Sequence, residues 1–452
     1  MSIPSFLVKR NIRDYFFLIN RETLNWLGFP RTVSVEEAYS IYRDVIMPKE
    51  DEVRQSLEEM RNVVKVDTLE LHLTDACNMS CLYCYVPKKL RLLPKMSIEI
   101  AETAINKLLE YRDKYWKDLT LHIVFHGGEP MMNKELLYTI IERWHGERIK
   151  FGIQSNGTLI NEEDVLFFKK HNIDVGISID GPSPEYHDIQ RFYVNGKGTF
   201  KAVDRTLRMF KSLGVPVGAI ITITRYNVSS LRDMLRYLIS LGIRSALFNP
   251  VSPSTPNARN LMPPIEILSS SYKQLLYDLV DMNRSGVKLI VQNIESIVVA
   301  LTVTNMRTLA CDISPCGASR LFLVILADGS VFPCSEFIGF PEFKLGNILT
   351  HSVEDLLMTK PAVKLRSRKV EEIPGCNSCP YGLICGANCP ASVYGLYKDL
   401  KKASPYCEFK KALIDEVLYL IYSNGIEEIL KTLVSEFLQS ILKDSVEVYG
   451  GV

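Results

Sequence analysis

Eleven cysteines stand in this chain of 452 residues, and their placement constrains it more than any other feature. Three fall between positions 77 and 84, none between 85 and 310, and eight between 311 and 407. A secreted disulfide scaffold is short and evenly stapled, so neither the odd count nor the clustering fits one. A chain of this length can bury a large core without staples. Its hydrophobic fraction of 47% and charged fraction of 23% are those of an ordinary globular protein. The cysteines are therefore expected to serve chemistry rather than folding.

Charge and hydropathy narrow the class further. Lys plus Arg number 53 and Asp plus Glu 52, a net charge of +1, so no nucleic-acid partner is expected. The first twenty residues are interrupted by Lys9, Arg10, Arg13 and Asp14 and lack a signal-peptide core. No run of 18 apolar residues occurs, so no membrane span is expected. The expectation is a soluble protein of the reducing cytoplasm.

Residues 1–65 read as a small α+β N-terminal domain. Tyr15–Ile19 is strand-like, Ser34 with Glu37 resembles a capping box, and a charged helix spans about Lys49 to Arg61. Such a unit serves as a packing cap or as a grip on a substrate or leader segment. From 66 to 255, strand-like and helix-like periods alternate through six β/α units. The strands are read at 68–73, 119–125, 149–154, 174–179, 217–224 and 245–248. Repeated alternation implies parallel strands with helices outside. Right-handed crossovers curl six such units into a partial (β/α)6 TIM-like barrel, with its site at the C-terminal ends of the strands. Residues 256–310 read as a helical connector and 311–410 as a Cys-rich, loop-rich iron–sulfur domain. Residues 411–452 read as C-terminal helices, broken at Asn424–Gly425, with an apolar packing face through Ile429, Leu433, Phe437 and Ile441.

Directly after the first barrel strand stands Cys77-Asn-Met-Ser-Cys81-Leu-Tyr-Cys84. Three thiolates on one loop are one ligand short of closing a four-iron cube or a structural zinc site. An open metal position suits catalysis; a zinc site completed by a distant His or Cys is the alternative. This C-x3-C-x2-C motif, with Tyr83 before its last cysteine, resembles the radical S-adenosylmethionine superfamily. The resemblance implies that Cys77, Cys81 and Cys84 bind three irons. S-adenosylmethionine then chelates the fourth through its amino and carboxylate groups. One electron passes into the sulfonium, and a 5′-deoxyadenosyl radical abstracts a hydrogen atom from substrate.

Other strand ends agree. Gly127-Gly128-Glu129-Pro130 after the second strand resembles the family's GGEP motif, which contacts the methionine amino group. Glycine there permits a close backbone approach that a side chain would block. Gln154-Ser-Asn156-Gly157 ends the third strand. Ser178-Ile-Asp180-Gly181-Pro182 ends the fourth, with Arg191 beyond it. The resemblance places Asn156, Ser178 and Arg191 around the cofactor, the latter two at its ribose and carboxylate, and Ile220 near the adenine. A guanidinium suits a carboxylate geometrically. Read blandly, Ser178 is a strand-end hydroxyl and Arg191 a surface charge.

The later cysteines carry a longer pattern: Cys316-x12-Gly329-x4-Cys334, then Cys376-x2-Cys379-x5-Cys385-x3-Cys389, then Cys407. It resembles the seven-cysteine SPASM extension of peptide- and protein-maturing radical enzymes, with Cys311 as an eighth; two zinc knuckles are the alternative. By resemblance to sulfatase-maturating enzymes, Cys311, Cys316, Cys334 and Cys389 hold one auxiliary cluster. Cys376, Cys379, Cys385 and Cys407 hold the other. That makes three [4Fe–4S] clusters, no spare cysteine, and auxiliary clusters suited to electron transfer.

The resemblance implies a peptide or protein substrate and an electron donor such as ferredoxin or flavodoxin. In sulfatase-maturating enzymes an aspartate follows the cysteine matching Cys334 and acts as base. Here Ser335 stands there, with Glu336 next, either a displaced base or a surface charge. Peptide maturation, for example thioether formation or side-chain oxidation, is therefore the leading expectation. Maturation of a tetrapyrrole or pterin cofactor is the second. A non-enzymatic metal-binding or electron-carrying protein is the third.

Overall fold

The computed structural model describes residues 3–87, 95–146 and 148–442. It begins with a three-stranded antiparallel sheet, β1 (Leu7–Ile12), β2 (Tyr15–Asn20) and β3 (Trp26–Pro30), followed by α1 (Val35–Val45) and α2 (Glu50–Asn62). The run Tyr15–Ile19 is apolar on both faces because both faces are covered. Phe16 and Leu18 pack with Phe29 and Tyr42, whereas Phe17 and Ile19 join the main core. Ser34 caps α1 by accepting the Glu37 amide at 3.1 Å; the reciprocal half of the box is not formed.

The barrel follows as β4 (Thr68–Thr74), α3 (Ile98–Tyr115), β5 (Leu121–Gly127), α4 (Lys134–Trp144), β6 (Ile149–Ser155), α5 (Glu162–Lys170) and β7 (Asp174–Ser178). It continues through a short α6 (Pro184–His187), α7 (Phe200–Ser212), β8 (Gly218–Ile223), α8 (Leu231–Ser240) and β9 (Ser245–Pro250). Neighbouring strands from β4 to β9 pair in parallel, giving the partial TIM-like barrel expected from the periodicity. On β5 to β8 the residues facing the helices (Ile123, Phe125, Ile153, Ile177, Ile221) are buried and alternate with half-buried lumen residues.

The connector holds a short α9 (Pro256–Arg259), α10 (Ile265–Arg284), β10 (Ile290–Val291) and α11 (Gln292–Thr302). Two residues of β10 extend the sheet beside β9, an addition that periodicity over so short a run does not reveal. The Cys-rich region is less loop-rich than its composition suggests. β11 (Phe322–Ile325) pairs in parallel with β4, setting Val324 against Glu70. β12 (Ser330–Phe332) and β13 (Gly346–Asn347) follow antiparallel, so one sheet of ten strands runs through both cysteine-bearing regions.

Five helices, α12 (Val353–Leu357), α13 (Lys360–Arg366), α14 (Gly382–Cys385), α15 (Pro390–Tyr397) and α16 (Cys407–Asn424), complete this part. The chain breaks at Gly425 (φ +85°) before α17 (Ile426–Leu433) and α18 (Glu436–Leu442). Ile429 and Leu433 are buried as expected, but Phe437 and Ile441 are exposed. The extended residue Val434 interrupts the helix, so the 3.6-residue period does not carry across it. Residues 443–452 of the expected C-terminal helices lie outside the described residues. No described helix is long and apolar enough to cross a membrane.

Arg320 joins three segments. It is almost fully buried, and its guanidinium donates to the carbonyls of Met60 (3.0 Å), Val63 (2.8 Å) and Pro315 (3.3 Å). Arg320→Met keeps the volume but strands these acceptors. It is expected to lower stability by about 3 kcal/mol, read as a fall in the denaturant midpoint at unchanged slope.

Candidate active site

The site is built where the loops after β4 and β5 meet. The amides of Gly128 and Glu129 donate to the carbonyls of Thr74 and Ala76, each at 2.9 Å. An added Cβ would come within 2.4 Å of Thr74 O at Gly127 (φ +116°) and 2.1 Å of Ala76 O at Gly128. The close approach these glycines permit is therefore made with the backbone leading into Cys77. Glu129 is fully buried and accepts from Ser155 Oγ (2.7 Å), the Asn156 amide (2.7 Å) and the Met131 amide (3.1 Å). Both its oxygens are committed to the protein, and burial raises its pKa. Glu129 thus clamps the end of β6 to the end of β5, and Pro130, buried, opens a tight turn behind it. Asn156 Nδ2 donates to Asn78 Oδ1 at 2.9 Å and lies 3.8 Å from Cys77 Sγ.

A second group closes on the cysteine loop from β7. Tyr83 donates to Asp180 at 2.5 Å and accepts from Arg191 at 2.6 Å; Arg191 and Asp180 stand 4.0 Å apart. Arg191 is buried and not the surface charge of the blander reading. Burial opposes its charge, but Cys81, Tyr83 and Asp180 outweigh that and hold it firmly cationic. Its Nε is buried with no hydrogen-bond partner. Such a donor beside Cys81 fits a carboxylate-bearing cofactor. Ser178 and Ile220 oppose each other on paired strands, both half-buried. Burial pushes the Cys77 thiol up to about 11 and Cys81 up to about 12.

The eight later cysteines fall into two sets. Cys334 lies within electrostatic reach of Cys311, Cys316 and Cys389. Cys376 neighbours Cys379 and Cys407, and Cys385 neighbours Cys376 and Cys379. Among the described residues, no three Cys, His, Asp or Glu side chains converge on a site for a single metal ion. Sequence reasoning missed Arg368, which is buried between the two sets and senses Cys316, Cys389, Cys376 and Cys385. It donates to the carbonyls of Leu400 (2.8 Å) and Ala387 (3.1 Å).

Between the first cysteine loop and the first later set, the lumen carries a polar layer. His72 Nδ1 lies 2.9 Å from Asp75 Oδ1, and His72 Nε2 lies 3.1 Å from Ser335 Oγ. Ser335 donates to Glu70 Oε2. The Gly127 amide donates to His126 Nδ1 at 2.8 Å, so His126 carries its proton on Nε2, facing Gln154 Oε1 at 3.0 Å. Burial lowers the His126 pKa, which keeps it neutral. Glu336 accepts from Ser252 Oγ at 2.8 Å, and burial raises its pKa; it is an interior group and not a surface charge. Glu70 and His72 escaped the sequence reading. Their signal was available: they are the polar members of an alternating barrel strand, on its inner face.

The comparisons with known proteins agree with this layout. The Radical SAM superfamily model matches residues 71–238, and an iron-sulfur cluster-binding domain model, SPASM, matches 316–380. An uncharacterized protein of Archaeoglobus fulgidus is 34% identical over 400 residues, covering 88% of this chain and 90% of that one. The chain belongs to the radical S-adenosylmethionine superfamily. It carries a SPASM domain as well. The superfamily uses a [4Fe–4S] cluster with S-adenosylmethionine, and SPASM domains bind auxiliary clusters. A serine-type anaerobic sulfatase-maturating enzyme of Bacteroides thetaiotaomicron is 26% identical, covering 75% of this chain and 90% of the relative. The subtilosin biosynthesis protein AlbA of Bacillus subtilis is 24% identical, covering 77% and 72%. Two solved structures share the fold. One is anSMEcpe with bound AdoMet (TM-score 0.71, 18% identity, 84% of this chain and 98% of that one). The other is Streptococcus suis SuiB bound to precursor peptide SuiA (TM-score 0.61, 14% identity, 90% and 99%).

The Gly128 contact yields a test. Gly128→Ala adds one methyl but drives it into the Ala76 carbonyl, so the cysteine loop must move. The variant is expected to lose S-adenosylmethionine binding by calorimetry and iron at the first site while the auxiliary sites still load.

Proposed function

We propose that this protein modifies a peptide or protein substrate by hydrogen abstraction inside the barrel, in the reducing cytoplasm. Three [4Fe–4S] clusters are held by the three cysteine sets. The observation that carries the reading is the polar layer between Cys84–Tyr85 and Cys334–Ser335, set inside the barrel and bounded by both thiol regions. Its relatives support it. They include sulfatase-maturating and subtilosin-biosynthesis proteins, and SuiB is described with a precursor peptide.

When bound, the clusters and S-adenosylmethionine supply the radical chemistry, and the chain supplies orientation and proton handling. Cys77, Cys81 and Cys84 hold the first cluster, and Arg191, with its unpaired Nε, holds the cofactor carboxylate. Asn156, Ser178 and Ile220 line the rest of its cradle. Glu129 positions the loops without reaching the ligand. Position 335 lacks the aspartate of sulfatase-maturating enzymes, and Glu70 supplies a carboxylate there from β4, bonded to Ser335 itself. Glu70 takes the substrate proton that accompanies oxidation. Glu336, bonded to Ser252, braces the auxiliary region against the loop after β9. Cys77, Cys81 and Cys84 would hold a cluster suited to taking an electron from a donor such as ferredoxin or flavodoxin, and the two later cysteine sets would hold clusters suited to carrying an electron away from substrate.

The decisive experiment is anaerobic co-expression with a short cysteine-bearing reading frame encoded nearby, followed by mass analysis of the peptide. A loss of two hydrogens per site is expected; an unchanged mass with all clusters loaded would sink the reading. Cys77→Ala, Cys81→Ala and Cys84→Ala are expected to abolish 5′-deoxyadenosine formation, whereas Cys407→Ala spares it and lowers peptide product. Glu70→Gln is expected to cut the ratio of modified peptide to 5′-deoxyadenosine by about 100-fold.

A further inference from the structure

The barrel is open from below. Closed barrels of this kind fill their interior with branched side chains. Here β6, β7 and β8 turn Gly152, Gly176 and Gly218 toward the lumen. The result is a cavity of about 1050 Å³ running from the N-terminal ends of the strands up to Gln154 and Ile220. Gln154 belongs to the polar layer through His126, so the upper end of this cavity is the reaction end.

The lower rim is strongly cationic. Lys150 on β6, Lys169 at the end of α5, Lys211 at the end of α7 and Arg244 before β9 are all exposed there. Among the described residues lining the cavity, Asp174 is the one carboxylate. Lys169 and Lys211 donate to the neutral carbonyls of Leu213 (3.1 Å) and Ser240 (2.8 Å), which leaves their charge uncompensated. Glu436 senses Arg244 but is already paired with Lys288. A cleft with one sign of charge at its mouth concentrates ligands of the other sign. The net charge of the whole chain is only +1, so this rim is a local departure from its average.

Resting on the peptide-modifying reading above, we propose that the rim recognises acidic side chains of the substrate. Lys150 and Gln154 are four residues apart on one strand, about 13 Å at 3.3 Å per residue. An extended peptide spans that distance in about the same number of residues. The acidic positions therefore lie about three to five residues from the residue modified. The cavity selects an extended, small-residue segment, and the rim selects its charge.

The test is a binding measurement on the cluster-loaded protein and needs no turnover. Fluorescein-labelled peptides of equal length, carrying a block of Glu or of Gln, are titrated by fluorescence polarisation at low and high salt. The Glu peptide is expected to bind about tenfold more tightly at low salt, several exposed pairs together giving that factor. High salt should erase the difference. The double variant K150E/R244E is expected to abolish the preference. Gly218→Leu is expected to weaken both peptides. A Cβ there meets nothing closer than Ser245 O at 3.6 Å, so the side chain enters the lumen without strain. Equal affinities in the unaltered protein would overturn the proposal, as would a preference that survives charge reversal or an unaltered affinity in Gly218→Leu. A protein that prefers the Glu peptide yet modifies none keeps this inference and refutes the reading it rests on. One that modifies a peptide with no charge preference does the reverse.

Discussion

Four residues of parallel pairing, Phe322–Ile325 along Thr68–Leu71, hold the two cysteine-bearing regions together. Their cysteines are separated by more than two hundred residues of barrel, and chain connectivity alone leaves their relation open. The pairing fixes it. It sets Val324 against Glu70 and brings Ser335 onto both Glu70 and His72. The driving force is ordinary: Leu323, Val324 and Ile325 are fully buried, and strand pairing satisfies their backbone groups. Without it the first auxiliary set and the barrel loop would be two sites and not one.

Polarity is placed inside this framework by strand alternation. Residues facing the helices are large and buried; those facing the lumen include glycines, histidines, a glutamine and a glutamate, with Val124 and Ile220 among them. A barrel with branched residues in place of Gly152, Gly176 and Gly218 would be sealed. The same alternation that builds the core therefore builds the cavity, because successive side chains point to opposite faces.

Two buried guanidiniums manage the charge of the thiols. Arg191 sits beside Cys81, and Arg368 lies between the two later sets. An unpaired buried cation is costly. Arg368 meets that cost with backbone carbonyls and nearby thiols, while Arg191 keeps one N–H unmatched by protein. The difference follows their surroundings: Arg368 is ringed by backbone carbonyls, and Arg191 stands beside Cys81, Tyr83 and Asp180.

Much of this was legible in the amino-acid order. The six strand–helix repeats, the loop bearing Cys77, the GGEP turn and the spacing of the later cysteines are local patterns, and local patterns survive being read one segment at a time. The hydrogen-bond partners of Glu129 and Glu336 were not legible. Both side chains bond residues distant in sequence, Ser155 and Asn156 for one and Ser252 for the other. Phe437 and Ile441 kept the apolar spacing of a packing face, yet one extended residue at Val434 turned them outward. Glu70, His72 and Ser335 looked like strand and turn residues until the sheet joined them. The sequence alone determined which chemistry is available, because ligand type and spacing are local. Only the tertiary structure brought Glu70, His72 and Ser335 together and set Lys150, Lys169, Lys211 and Arg244 around one cavity, because those depend on distances between strands that the chain order does not contain.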